Sequence, residues 1–308
     1  MPSLTEAQAY NAAALSALST VPTALFIGGT SGIGRGIVEA FARHTKGNVH
    51  IIICGRNREA ADRIIASLPK PSVAAAKHEF VYCEATLMRN VRAVTSELIS
   101  RLPKLNYLVF TIALVNLNGY EPTEEGLEKK AAASYYARWL FTLELLPLLR
   151  KAREMAEPAK LLSIGSAGRA GRKIETDDDL DLRKLYKTSI FQIRKTITAC
   201  QELSLEAFVT ENPWLTTIHT NPGVVYTPSL PFDVPLLLKV VIDYVAWILL
   251  RSPSDSGEFM LYALLKGEGE GRVLRFGETG KTLRRRDEFI TVEGQERVWK
   301  HTLEAISV

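Results

Sequence analysis

Eight residues near the start of the chain, Ile27-Gly28-Gly29-Thr30-Ser31-Gly32-Ile33-Gly34, carry the clearest chemistry in the sequence. They follow an apolar run at 24–27 and precede a stretch at 33–42 with apolar residues three and four apart, so they read as a strand-to-helix turn. In that setting Gly28 takes a turn conformation closed to other residues, and Gly32 lets backbone N–H groups close on a diphosphate. Gly34 permits tight packing of helix on strand, with Thr30, Ser31 and Ile33 completing the turn. The helix N-terminus then faces the anion with unsatisfied donors. The chemistry predicted is the binding of a dinucleotide.

A turn of this kind needs a parallel sheet behind it. Apolar runs recur at 24–27, 49–54, 79–83, 107–110, 160–164 and 215–219, with helical patterns between them such as 33–42, 91–102 and 139–149. The runs are continuously apolar rather than alternating, which marks strands covered on both faces. The repetition predicts an α/β fold, a Rossmann-type doubly wound parallel sheet. No Pro/Gly/Ser-rich linker divides the 308 residues, so 1–308 reads as a single domain with an N-terminal extension at 1–20. Ser252-Pro253-Ser254-Asp255 reads as the N-cap, first-turn proline and capping acid of a helix reaching about residue 265, and 271–276 as a last strand.

Composition excludes several classes of function. The chain is 46% hydrophobic and 23% charged, ordinary for a globular protein. A balance of 38 Lys+Arg against 34 Asp+Glu, net +4, is too weak to imply nucleic acid as a partner. Cys54, Cys83 and Cys200 are odd in number and far apart, and the five histidines show no ligand spacing, so neither a disulfide framework nor a metal site is expected. The first twenty residues hold Glu6 but no Lys or Arg, which predicts neither a secretory nor a mitochondrial signal and so a cytoplasmic location. The apolar stretch at 236–250 is short for a membrane span and is interrupted by Lys239 and Asp243. The Arg284–Arg286 triplet reads as a solvated loop.

The G-x-x-x-G-I-G spacing resembles the short-chain dehydrogenase/reductase family over roughly residues 20–265. It looks closest to a fungal branch of secondary metabolism, with an N-terminal extension and an acidic insert at 175–179. The resemblance implies a nicotinamide cofactor across the carboxyl ends of strands ordered 3-2-1-4-5-6-7. The second run ends Cys54-Gly55-Arg56-Asn57, with no acid to meet a ribose 2′-hydroxyl, whereas Arg56 can bind a 2′-phosphate. NADP(H) is the cofactor read from it, with Arg35 a candidate second cation. Glu84 and Ala85, after the third strand, fall where the family places an acid beside the adenine. Pro222, Gly223, Val225 and Thr227 keep the P-G-x-V-x-T that meets the nicotinamide carboxamide.

The same resemblance assigns catalysis. Tyr186 would pass a proton to a carbonyl oxygen while the carbon takes a hydride, and Ser166 would orient that oxygen, with Ser163 a competing choice deeper in the strand. The lysine expected four residues after the tyrosine is Ile190. On a helix, residues 186 and 190 share a face, while Lys187 points about 100° away. Phe110-Thr111-Ile112-Ala113 stands in place of N-N-A-G, and the usual helix asparagine maps near Ser134 or Tyr135. A phenol of pKa ~10 stays protonated at neutral pH and serves as an acid but not as a base, so reduction is expected to dominate oxidation. The function implied is NADPH-dependent reduction of a carbonyl. The alternatives are a non-redox enzyme on this fold (isomerase, dehydratase or cyclase) or a cofactor-binding protein without turnover. The segment 229–266, apolar up to 250, reads as a substrate lid for a polyketide- or terpenoid-like metabolite, or as the contact surface of a homo-oligomer, with membrane contact the weakest reading.

Overall fold

The computed structural model describes residues 1–114, 118–175, 179–187, 190–225 and 250–307. Seven parallel strands form one sheet in the order β3-β2-β1-β4-β5-β6-β7, as the resemblance implies. They are β1 Thr23–Ile27, β2 His50–Gly55, β3 His78–Tyr82, β4 Tyr107–Phe110, β5 Lys160–Ile164, β6 Thr216–Thr220 and β7 Val273–Phe276. Every residue of β1 and β4 is buried, which explains their unbroken apolarity: a strand covered on both faces has no polar side to write.

Helices supply that cover. Phe26, Ile51, Ile53 and Val109 point to one side, where they join residues of α2 (Gly32–His44), α3 (Arg58–Ser67) and α8 (Pro253–Lys266). Leu25, Ile27, Ile52 and Phe110 join residues of α4 (Met88–Arg101), the short α5 (Lys129–Ala131), α6 (Ala137–Glu154), α7 (Ile190–Glu211) and the final helix α9 (Val292–Ala305) on the other. The strand order reverses beside β1, so the carboxyl ends of β1 and β4 border the crevice where ligands of such sheets bind.

Two details fix the near side. Helices α2 and α8 touch backbone to backbone, since a Cβ on Gly36 would collide with the Pro253 carbonyl. The N-terminal extension is the helix α1 (Leu4–Ser16), which buries Ala7, Asn11 and Leu15. Asn11 Nδ2 donates to Glu258 Oε2 (2.8 Å) and to the Glu258 carbonyl (3.0 Å). Burial would raise the Glu258 pKa, but hydrogen bonds from His44, Asn11 and Arg43 outweigh it and bring the carboxyl down to about 2. In the segment 229–266, residues 253–266 are this buried helix α8, and 229–249 lie outside the described residues.

Candidate active site

The glycine turn is built as its spacing requires. Gly28 and Gly32 have φ of +100° and +52°. A Cβ on Gly28 would lie 2.7 Å from Thr111 Oγ1, and one on Gly34 would run into the Gly28 carbonyl. Thr111 Oγ1 donates to that carbonyl at 3.0 Å, so the second residue in the N-N-A-G place pins the turn from just past β4. Thr30 packs against Gly55 at the end of β2.

The start of α2 differs from those of α1, α3, α4, α8 and α9. Ser3, Asn57, Ser252 and Thr291 cap α1, α3, α8 and α9 with their side chains. Glu125 takes the Met88 and Arg89 N–H groups at α4, at 2.5 and 3.0 Å. Ser31, the N-cap of α2, makes no side-chain cap bond. First-turn donors without a protein cap, beside a turn too tight for side chains, fit the diphosphate of a dinucleotide.

Around this turn the other cofactor-side residues take their places. Arg56 is exposed, with Nη1 3.3 Å from Glu84 Oε2, and the other Glu84 oxygen accepts from Thr86 Oγ1 at 2.9 Å. Arg35 is paired with Glu39 at 2.6 Å. Asn57 commits its side-chain oxygen to Ala60 N, at 2.9 Å, so its part is to start α3 just behind Arg56. Ala85 is buried. Across the cleft, Gly223 has φ +74° and donates its N–H to Asn221 Oδ1 (3.1 Å), beside Pro222, and Val225 bridges to Arg251. Thr227 lies outside the described residues.

Ser166 follows β5 and is half-buried. Its competitor Ser163 is buried and accepts from Arg138 Nη1 at 2.8 Å, which leaves Ser166 as the serine beyond the strand end. Arg138 was not anticipated from the sequence. Its guanidinium also donates to the carbonyls of Ile164 (2.8 Å) and Ile112 (2.7 Å), tying the ends of β4 and β5 together. These acceptors are all neutral, and burial lowers the Arg138 pKa to about 10.

Tyr186 requires a correction to the helical reading. It sits on a 3₁₀ turn, Leu185–Lys187, and the described part of α7 is Ile190–Glu211. Tyr186 itself is therefore in 3₁₀ rather than α-helical geometry, and the chain from it to residue 190 passes through residues outside the described ones. Residues 188 and 189, and the side chains of Lys187 and Ile190, lie outside the described residues. The Tyr186 hydroxyl donates to Glu128 Oε1 (2.8 Å) and accepts from Lys130 Nζ (3.1 Å), while Tyr120 packs edge-on at 5.7 Å. Burial first, then the hydrogen bond and charge of Glu128, push the phenol well above its usual range. The described hydrogen bonds of this hydroxyl go to Glu128 and Lys130 and none goes to Ser166.

Of the two candidates for the asparagine position, the one with its hydroxyl toward the segment after β4 is Ser134. It lies in a π-helical turn, Ala132–Tyr136, and its Oγ accepts from Leu114 N at 3.1 Å. Such turns recur at functional sites. Tyr135 instead turns inward, sharing its hydroxyl with Ser204 and Thr302, each at 2.5 Å.

The comparisons with known proteins agree with this geometry. The short chain dehydrogenase profile matches residues 22–153. Oxidoreductase AN1596 of Emericella nidulans is 32% identical over 268 residues, covering 86% of this chain and 77% of that protein. The chain belongs to the short-chain dehydrogenase/reductase family. As a member it is an oxidoreductase, and the family fold implies NAD or NADP as cofactor. Oxidoreductase andH of Emericella variicolor is similar too, at 32% over 263 residues, 85% of this chain and 74% of that protein. Human polyprenol dehydrogenase is 24% identical over 256 residues, 80% of this chain and 74% of its own. Among solved structures, a short chain dehydrogenase from Salmonella enterica serovar Typhi shares the fold, with a TM-score of 0.56 at 19% identity over 83% of this chain and 96% of that one. Relatives named as oxidoreductases do not favour the non-redox and non-turnover alternatives. Among the described residues no helix is long and apolar enough to cross a membrane.

Proposed function

We propose that this oxidoreductase reduces a carbonyl of an apolar small metabolite, polyketide- or terpenoid-like, with NADPH. When bound, the cofactor supplies the hydride. The chain binds its diphosphate through the turn at 28–34, and Arg56 meets the 2′-phosphate. Arg56 is now paired with Glu84, but with 58% of its side chain exposed that pair is worth no more than about 1 kcal/mol and yields readily to a phosphate. Ser166 orients the carbonyl oxygen and Tyr186 protonates it.

The observation that carries this direction of reaction is the Tyr186 hydroxyl, held protonated by burial and by the carboxylate of Glu128. A phenol so placed is fully protonated at neutral pH, the state reduction uses, and is not available as the base that oxidation needs. A cleft of about 470 Å³ lined by Glu84, Thr86, Leu87, Tyr120 and Lys129 connects the adenine end to the ring packed on Tyr186. The apolar composition of 229–250 supports an apolar substrate or a subunit contact in a homo-oligomer. Three free buried thiols suit the cytosol.

The test is a fluorescence titration with NADPH and NADH, followed by absorbance with a panel of apolar ketones. NADPH should bind the tighter and be consumed, and Tyr186→Phe should cut its consumption to a small residual rate while leaving binding unchanged. Equal affinity for the two coenzymes would overturn the NADP assignment. Undiminished turnover by Tyr186→Phe would overturn the role of the phenol.

A further inference from the structure

The family's lysine is absent at position 190, yet a lysine reaches the tyrosine from another element. Lys130 lies in the short helix Lys129–Ala131 that opens the crossover after β4, four residues before Ser134. Its Nζ donates to Tyr186 Oη at 3.1 Å and to the carbonyls of Asn118 (2.7 Å) and Gly119 (3.2 Å), using its three donors. Its side chain is 11% exposed, and Nζ also lies 4.8 Å from the centre of the Tyr186 ring. Glu128 steadies the pair. It caps this helix through Oε2 on Ala131 N (2.8 Å), accepts the phenol through Oε1 (2.8 Å), and stands 3.8 Å from Nζ.

We propose that Lys130 is the cation that serves Tyr186 during reduction, in place of the lysine missing from position 190. The inference rests on the reading of Tyr186 as the proton donor. NADPH, the coenzyme of that reading, would supply the hydride and leave as NADP⁺, and solvent supplies the one proton that the reaction consumes. The carbonyl carbon gains the hydride and the carbonyl oxygen gains the Tyr186 proton, after the hydroxyl turns from Glu128 to the substrate. Lys130, already bonded to the phenol oxygen, stabilises the phenolate and returns a proton to it. Water then recharges the amine. Two backbone carbonyls hold Nζ throughout, so the ammonium needs no rearrangement when charge appears on the oxygen.

A coupled set of variants tests this. Lys130→Met should lower kcat for ketone reduction by about tenfold or more, the equivalent of one pKa unit or more from a lost neighbouring cation. The KM for NADPH and its binding by fluorescence should not change, and Lys130→Arg should restore most of the rate. In a Tyr186→Phe background, Lys130→Met should cost nothing further, because its effect passes through the phenol. Equal losses in both backgrounds, or full activity of Lys130→Met, would overturn the proposal while leaving the reductase reading standing. Full activity of Tyr186→Phe would remove both. A readout independent of turnover is the titration of Tyr186 in spectra of protein carrying ring-labelled tyrosine. Lys130→Met should move it to higher pH and Lys130→Arg should not, and an unmoved titration in Lys130→Met would overturn the contact's electrostatic role.

Discussion

The two ends of the crevice are made differently. At the dinucleotide end the parts are backbone: the turn Gly28–Gly34, the uncapped donors of α2, and Thr111 fastening the turn to β4. At the proposed proton-transfer end the parts are side chains from separate elements: Ser166 after β5, Tyr186 on a 3₁₀ turn, and Glu128 and Lys130 from the start of the β4 crossover helix. A backbone site tolerates only glycine at its tight points, so it keeps one sequence pattern. A side-chain site can be rebuilt from any element that reaches it, so its charge can move from one helix to another while the geometry at the reacting oxygen survives.

Gly34→Val is the harshest way to probe the contrast. Its Cβ would strike the Gly28 carbonyl and Thr111 Oγ1, so both the turn and the start of α2 must shift. A destabilisation of about 3 kcal/mol is expected from such overpacking, with no dinucleotide binding detectable by calorimetry. If the variant bound normally, the backbone end would be as adaptable as the other. Arg56→Ala is milder and more selective. A charge-assisted hydrogen bond is worth about 1.5–3 kcal/mol, so NADPH should bind about ten- to a hundredfold more weakly, with NADH unchanged. An equal loss for both coenzymes would show that Arg56 shapes the pocket rather than reading the phosphate.

The contrast also explains what could be read from the chain. Strands at 107–110 and 160–164 and the Ser252 cap were legible because continuous apolarity and cap chemistry are local patterns, and the strand order came from the family that the glycine spacing resembles. The place of Arg56 just past the end of β2 was legible because it follows directly on an apolar run, and its role toward a 2′-phosphate belongs to the proposal. Lys130 and Glu128 were not. In Glu128-Lys129-Lys130 nothing local says which cation turns inward, and Lys129 is the more exposed of the two, with 45% of its side chain in solvent against 11%. Their partner is more than fifty residues away. Arg138 reads as an ordinary helix cation, and only the fold shows that it points under β4 and β5. Tyr186 was found by resemblance, but its 3₁₀ turn was hidden because a four-residue spacing was taken to mean one helical turn.

Glu128→Gln sharpens the side-chain end. Removing the negative charge against the phenol should lower the Tyr186 pKa by about one unit or more, opposite in sign to the effect of losing Lys130. The sign follows from the two reactions. Reduction consumes the protonated phenol, so in the native protein its rate should stay level as pH rises toward ~10, where an ordinary phenol ionises. Oxidation needs the phenolate, so it should climb with pH, and in the variant that climb should begin about one pH unit earlier. Steady-state rates in both directions from about pH 6 to about pH 11 would check this. An unmoved oxidation limb would mean that Glu128 only caps its helix.

Glu84→Gln gives the smallest effect and separates two roles for one carboxylate. If Glu84 acts mainly as the counter-ion of Arg56, its neutral variant frees the guanidinium, and NADPH should bind up to about fivefold tighter, the worth of an exposed ion pair, with NADH unaffected. The gain should fade in high salt, as exposed charge effects do. If Glu84 instead serves the adenine, NADPH and NADH should lose affinity together and salt should matter little. The geometry favours the first outcome, because Oε2 already faces Arg56 while Oε1 is held by Thr86, so the carboxylate is oriented by protein partners before any base arrives.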